Sequence, residues 1–239
     1  MLPRLPLLDE ALDLLFPGRC GACEGRVDGR AAWCEACAHA VEPLGHPRCA
    51  VCAVPFEGAG EDHPCGGCLA RPPAFTGVSA PFVYGGSVAS AIRGLKYAAR
   101  TDLASGLADA MAACLPRAPV DRVVPVPLHP RRLAERGFNQ AGLLAAGLSA
   151  RIDARLDHDA LVRRRETASQ AGLGRSARQR NVRGAFAARP GKRALLEGER
   201  VLLVDDVITT GETVRACARA LRRAGAREVW VAAAARAMW

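Results

Sequence analysis

Eight of the ten cysteines fall in four Cys-x-x-Cys pairs: Cys20 and Cys23, Cys34 and Cys37, Cys49 and Cys52, Cys65 and Cys68. Two thiolates three positions apart on a tight turn can face one metal ion, and two such turns complete a tetrahedral site of four thiolates. The eight therefore imply two structural zinc ions, with no coordination position left for a reacting water. The spacing leaves open whether the quartets are sequential or interleaved. A second run with chemical potential is VLLVDDVITTGET, Val201 to Thr213. Asp205 and Asp206 follow an apolar strand and offer paired acceptors to the vicinal hydroxyls of a ribose. Val207 and Ile208 lead on to Thr209, Thr210, Gly211, Glu212 and Thr213, which open a helix whose free N–H groups and dipole favour an anion. Gly211 permits close backbone approach, and the threonine hydroxyls add neutral donors. The run reads as a site for a ribose 5-phosphate. Paired acids after a strand would also suit a Walker B element, but the chain has no GxxxxGK[ST] loop, which argues against an ATPase.

The first twenty residues carry Asp9, Glu10 and Asp13 inside their apolar stretch, which excludes a signal-peptide core or a membrane span there. The expectation is a cytosolic protein without membrane insertion, in which paired cysteines hold metal rather than form disulfides. Metal binding at such sites stabilises a small module by order ~10 kcal/mol. His39, His46 and His63 lie among the cysteines and are read as surface or supporting residues, since the quartets are complete without them. Cys114 and Cys217 are single and sit in helical patterns, so they are read as core packing.

Charge divides the chain in the same place. Residues 1–80 hold 6 Arg and no Lys against 10 acids, a net −4, which leaves +13 of the overall +9 to residues 81–239. A basic balance confined to one part implies an anionic partner, either a polyphosphate ligand or a nucleic-acid backbone. Lys96 and Lys192 are the only lysines, so the charge is carried by Arg, which suits bidentate phosphate contacts.

The elements that must position these groups follow from periodicity. Residues 1–78 read as a double zinc ribbon with an N-terminal helix, and residues 79–239 as an α/β domain with a doubly wound, mostly parallel sheet. Within the latter, strands are expected at Pro81–Tyr84, Asp121–Val126, Val201–Val204 and Glu228–Ala234, and helices at Ser87–Tyr97, Leu103–Cys114, Asn139–Ile152 and Glu212–Ala224. PLHPRRLAERGF reads as a polar loop, and residues 163–186, with seven Arg and one acid, as a mobile one. In such a sheet ligands sit at the carboxyl ends of strands, where Asp205 falls.

VLLVDDVITTGET resembles the signature with which type I phosphoribosyltransferases bind phosphoribosyl pyrophosphate (PRPP). The four cysteine pairs, LKY at 95–97, VVPVPLHPRRLAERGFNQ at 123–140, RRRETASQ and QRNVRGAF resemble the ComF family of competence proteins, over nearly the whole chain. The resemblance implies that Asp205 and Asp206 hold the ribose hydroxyls and act in catalysis, that residues 207–213 hold the 5-phosphate, and that Mg2+ bridges the pyrophosphate. It adds Lys96 to the ligand-binding set, and Arg131, Arg132 and Arg136 as candidates for the pyrophosphate or for nucleic-acid phosphate. Asn139 and Gln140 read a base or simply cap a helix. The Arg163–Arg183 stretch takes the place of a closing loop. One departure is Thr209, where 6-oxopurine transferases carry an Asp general base, which argues against purine salvage. The family implies a role in DNA uptake, with single-stranded DNA and a helicase as partners.

Overall fold

The computed structural model describes residues 18–27, 29–165, 182 and 184–238. The expected N-terminal helix and most of the Arg-rich stretch lie outside these residues.

The centre is a parallel sheet of β3 (Gly77–Ser79), β4 (Phe82–Val83), β5 (Arg122–Pro125), β6 (Arg155–Leu156), β9 (Arg200–Ile208) and β10 (Glu228–Arg236), in the order β3-β10-β9-β5-β6 with β4 also on β10. The short pairs β1 (Gly18–Arg19) with β2 (Arg26–Val27), and β7 (Leu161–Arg163) with β8 (Phe186–Ala188), are antiparallel and separate. Two short helices, α1 (Glu35–His39) and α2 (Gly66–Ala70), belong to the cysteine-rich part. The others are α3 (Gly86–Tyr97), α4 (Leu103–Ala113), α5 (Pro130–Arg136), α6 (Gln140–Ile152), α7 (Arg193–Leu196) and α8 (Glu212–Arg223).

Alternation along β9 explains the layers. Leu202 and Val204 face α3, α4 and α6 through Ile92, Leu107, Met111, Leu144 and Leu148. Val201 and Leu203 face α8 through Val214, Cys217 and Leu221, and the β7–β8 ribbon through Leu161 and Phe186. With both faces covered the strand can be apolar throughout, and each fully buried Leu or Val contributes ~1.5–3 kcal/mol. Cys217 is fully buried in this core, whereas Cys114 is only partly so.

Several elements differ from expectation. The strand foreseen at Pro81–Tyr84 is two short strands, β3 and β4, and β3 starts before the expected boundary at residue 78. PLHPRRLAERGF contains α5: Pro130 occupies the first turn, Arg131 pairs with Glu135 one turn on at 3.1 Å, and Gly137 caps the end at φ 80°. The edges of the Arg-rich stretch are strands β7 and β8. Most important, β9 does not stop at Val204 but continues through Asp205 to Ile208. No helix of the described residues is long and apolar enough to cross a membrane.

Candidate functional site

β5 leaves the sheet just where the acids begin. Its last register partner is Val204, and the Val126 N–H donating to Val204 O (2.8 Å) is the final link. From Asp205 onward β9 pairs with β10 alone, as Asp205 with Ala233 and Ile208 with Arg236. The chain after β5 travels through α5 and α6 to β6 on one side, and after β9 through α8 to β10 on the other. Such a switch point opens a crevice at the carboxyl ends of the strands. Here the crevice is a cavity of about 260 Å³.

Asp205 and Asp206 stand on its wall with Lys96, Arg132, Arg136, Asn139, Gln140, Val207, Ile208, Thr209, Gly211 and Thr213. Lys96, from the end of α3, places Nζ 2.9 Å from Asp206 Oδ1. Burial works against its charge, but Asp206 and then Asp205 outweigh it and hold the ammonium above the ordinary lysine pKa. Asp205 is different: burial and then the adjacent Asp206 carboxylate push it up to about 7, although the Asp206 N–H donates to its Oδ1 at 2.9 Å. Asp206 Oδ2 and Gln140 Oε1 are buried without a protein partner. Buried polar atoms of this kind call for a ligand or water. The paired carboxylates are hard oxygen donors suited to Mg2+, which takes one or two carboxylates and completes its shell with phosphate oxygens and water. Asn139 caps α6, its Oδ1 accepting from Ala141 N and its Nδ2 donating to Val126 O, both at 3.1 Å.

Behind the acids the chain turns through Gly211, left-handed at φ 76°, into α8. No Cβ is tolerated without strain at that angle, and Gly211, Thr213 and Val214 at the start of α8 line the cavity. Under the turn lies Arg236, the last residue of β10 and 4% exposed. Its guanidinium donates to the carbonyls of Ile208 (3.0 Å), Thr209 and Ala237 (2.9 Å), and its Nε to Cys52 O at 3.1 Å. Arg236 is absent from the sequence reading, since an arginine ending an alanine-rich strand carries no signal of its own. Tyr97 and Arg163 also line the cavity.

Three residues grouped with the ligand by sequence do not line the wall. Glu212, 2% exposed, turns inward to Arg71 of the cysteine-rich part. The Thr210 hydroxyl is buried without a hydrogen-bond partner outside the cavity lining. Arg131 pairs with Glu135 on the outer side of α5.

The cysteines resolve into sequential quartets, Cys20, Cys23, Cys34, Cys37 and Cys49, Cys52, Cys65, Cys68, each with its sulfurs within 4.8 Å of one another. All four positions in each are thiols, which fits a closed tetrahedral zinc site. Burial opposes ionisation of Cys20 and Cys49, but backbone N–H groups aimed at each sulfur bring their thiols down to about 6 and about 7. His46 and His63 bond to Asp62 and to Glu61 O instead. The first centre rests on α3 and α4: a Cβ at Gly106 would come within 2.6 Å of Ala32 N and Arg30 O, and Trp33 Nε1 donates to Ser87 O at 3.1 Å. The second centre rests on the pocket. Besides Arg236 on Cys52, Arg215 of α8 donates to Cys68 Sγ at 3.3 Å and to Arg71 O at 2.8 Å.

Residues 11–69 match the double zinc ribbon domain, and residues 134–238 the phosphoribosyl transferase domain. The chain is 34% identical over 227 residues to the DNA utilization protein YhgH of Escherichia coli K12, covering 91% of this chain and 96% of that one. It is 38% identical over 117 residues to competence protein F of Haemophilus influenzae, 49% of this chain and 51% of that one. Against competence protein ComFC of Streptococcus pneumoniae the identity is 34% over 107 residues, 44% of each.

Proposed function

The chain belongs to the family of the DNA utilization protein YhgH and competence protein F, and from that membership we propose a PRPP-binding factor of DNA uptake. In this reading Asp205 and Asp206 hold the ribose hydroxyls with Mg2+, and the turn from Thr209 to Thr213 holds the 5-phosphate. Arg132 and Arg136 face the pyrophosphate. The observation that carries it is the crevice itself. Paired carboxylates on an open strand edge, a glycine turn into a helix N-terminus and unpartnered buried oxygens on Asp206 and Gln140 meet in one cavity. Arginine supplies the countercharge that a pyrophosphate requires.

Turnover is a separate matter. Loss of pyrophosphate leaves positive charge on the ribose, which an ionised carboxylate pair stabilises, so catalysis with an unknown acceptor is compatible with the site. Thr209 on the cavity wall supplies no carboxylate for purine salvage. The DNA-utilization and competence names of the relatives support a protein that meets single-stranded DNA and a helicase, in the cytosol, with the zinc ribbon at 1–78 and the PRPP pocket at 79–239 as its parts.

The test is a calorimetric PRPP titration with and without Mg2+, repeated with single-stranded DNA as competitor. Saturable, magnesium-dependent binding that is lost when Asp205→Ala and Asp206→Ala are combined is expected. Absence of binding to the wild-type protein, or full binding by the double variant, refutes the pocket assignment.

A further inference from the structure

The β7–β8 ribbon stands apart from the main sheet and leaves one edge of β8 open. The Arg164 N–H donates to Ala185 O at 2.8 Å, and the Arg189 N–H to Ala160 O at 3.0 Å. Such bonds alternate along an antiparallel pair, so Val162 and Ala187 bond each other while the N–H and C=O groups of Phe186 and Ala188 point away from β7. Among the described residues no hydrogen bond joins those groups to another element. An edge of this kind is a template for another strand.

Beside it runs a groove of about 330 Å³, lined by β8, the turn after it and the end of α8. Its floor is small and apolar, with Ala187, Ala220 and Ala224, and it is edged by Arg164, Arg189, Arg193 and Arg223, all exposed. Arg189 is answered by Asp159 at 3.0 Å. Among the described residues Arg164, Arg193 and Arg223 have no ion-pair partner, no acid lines the groove, and none of its residues lines the phosphate crevice.

We propose that this groove receives an extended acidic peptide of a partner protein, which adds a strand to β8 and sets its carboxylates against the arginines. Main-chain bonds to the edge supply affinity, and alternating side chains give selectivity, with acids toward the guanidiniums and small apolar residues on the alanine floor. Guanidinium forks pair bidentately with carboxylates. A nucleic-acid strand fits less well, having no use for a free strand edge. The one ring in the groove, Phe186, is 8% exposed and lies beneath the Arg163 guanidinium, 5.4 Å from its centroid, so no base can stack on it. The inference does not depend on the PRPP reading of the crevice.

The test is fluorescence anisotropy on the full-length protein with a labelled decapeptide of alternating Asp and Val, its fully N-methylated counterpart and an alternating Lys and Val decapeptide. Circular-dichroism melting verifies the fold of each variant. The Asp–Val peptide should bind the wild type and weaken at least about tenfold when Arg193→Glu and Arg223→Glu are combined, the loss usual for a charged hydrogen bond. Ala188→Pro removes one outward N–H without touching the ladder to β7 and should weaken the peptide severalfold. The N-methylated and Lys–Val peptides should not bind. No binding to the wild type, equal binding of the N-methylated peptide, or an unchanged affinity in the double variant overturns the proposal. So does a labelled thymidylate decamer that loses as much affinity as the peptide in that variant, which would make the groove a nucleic-acid track. If Ala188→Pro does not fold, the double variant and the N-methylated peptide still decide.

Discussion

Releasing the second zinc ion should cost PRPP affinity, and releasing the first should not. Cys68→Ser removes one ligand of the second centre and also the sulfur that accepts from Arg215 Nη2 at 3.3 Å. The knuckle that holds Cys52 O under Arg236 Nε at 3.1 Å loses its metal at the same time. Both are hydrogen bonds from a charged donor, for which ~1.5–3 kcal/mol each is usual. Arg236 also holds Ile208 O and Thr209 O, so slack at Cys52 is transmitted directly to the turn proposed to receive the phosphate. If ordering that turn must be supplied from ligand binding, one lost bond weakens PRPP by at least roughly tenfold and two by at least on the order of a hundredfold. Cys23→Ser opens the first centre, whose contacts are with α3 and α4, and should leave affinity within about twofold. Zinc content by atomic absorption confirms which ion has left, and PRPP calorimetry gives the two affinities. Equal losses from the two variants, or a Cys68→Ser protein that lacks one zinc and binds PRPP normally, would refute the mechanical link.

Three further outcomes follow from the same geometry. Asp205 has a folded pKa of about 7 against 3.8 for an ordinary aspartate, so its contribution to apo stability is complete below about pH 4 and is lost as pH rises to 7. PRPP with Mg2+ needs the ionised form, hence affinity should rise by up to about tenfold per pH unit below 7 and level off above it; a flat profile, or one that persists in Asp205→Asn, rejects the assignment. Gly106→Val drives a side chain into the backbone of residues 30–32 and should lower stability by ~1–3 kcal/mol, read as a drop of several degrees in Tm with PRPP affinity unchanged. Single-stranded DNA affinity should fall steeply with salt on a log–log plot, because arginine supplies most of the charge; a shallow slope would exclude phosphate contacts as its main source.

The sheet was legible where burial on both faces makes a strand uniformly apolar, as at Val201–Val204, and the following helix where Val214, Cys217 and Leu221 repeat on one face. The continuation of β9 was not, because two acids in succession normally end a strand. They are accommodated here only because β5 departs at Pro125 and leaves that edge open to the cavity. Helix α5 was hidden for the opposite reason: with Leu133 as its one large apolar residue it has no apolar face, and it is held by Pro130, the Arg131–Glu135 pair and Gly137. The two zinc centres could be counted from the cysteines, but identical Cys-x-x-Cys spacing carries no information on which pairs join. Within the site, Asp205, Asp206 and the glycine turn follow from local order along the chain. Arg236 and the inward turn of Glu212 do not, since each depends on a partner more than a hundred residues away in the cysteine-rich part.

The strand order has a consequence for biogenesis. β10 is made after every other strand of the sheet, yet it lies between β3 and β9 and carries β4 as well. During translation β3 and β4 therefore have no strand to pair with, and β9, already paired with β5, offers an unsatisfied outer edge to whatever meets it first. A nascent chain halted before residue 228 thus leaves β3 and β4 apart from the β9-β5-β6 strands rather than being merely shortened.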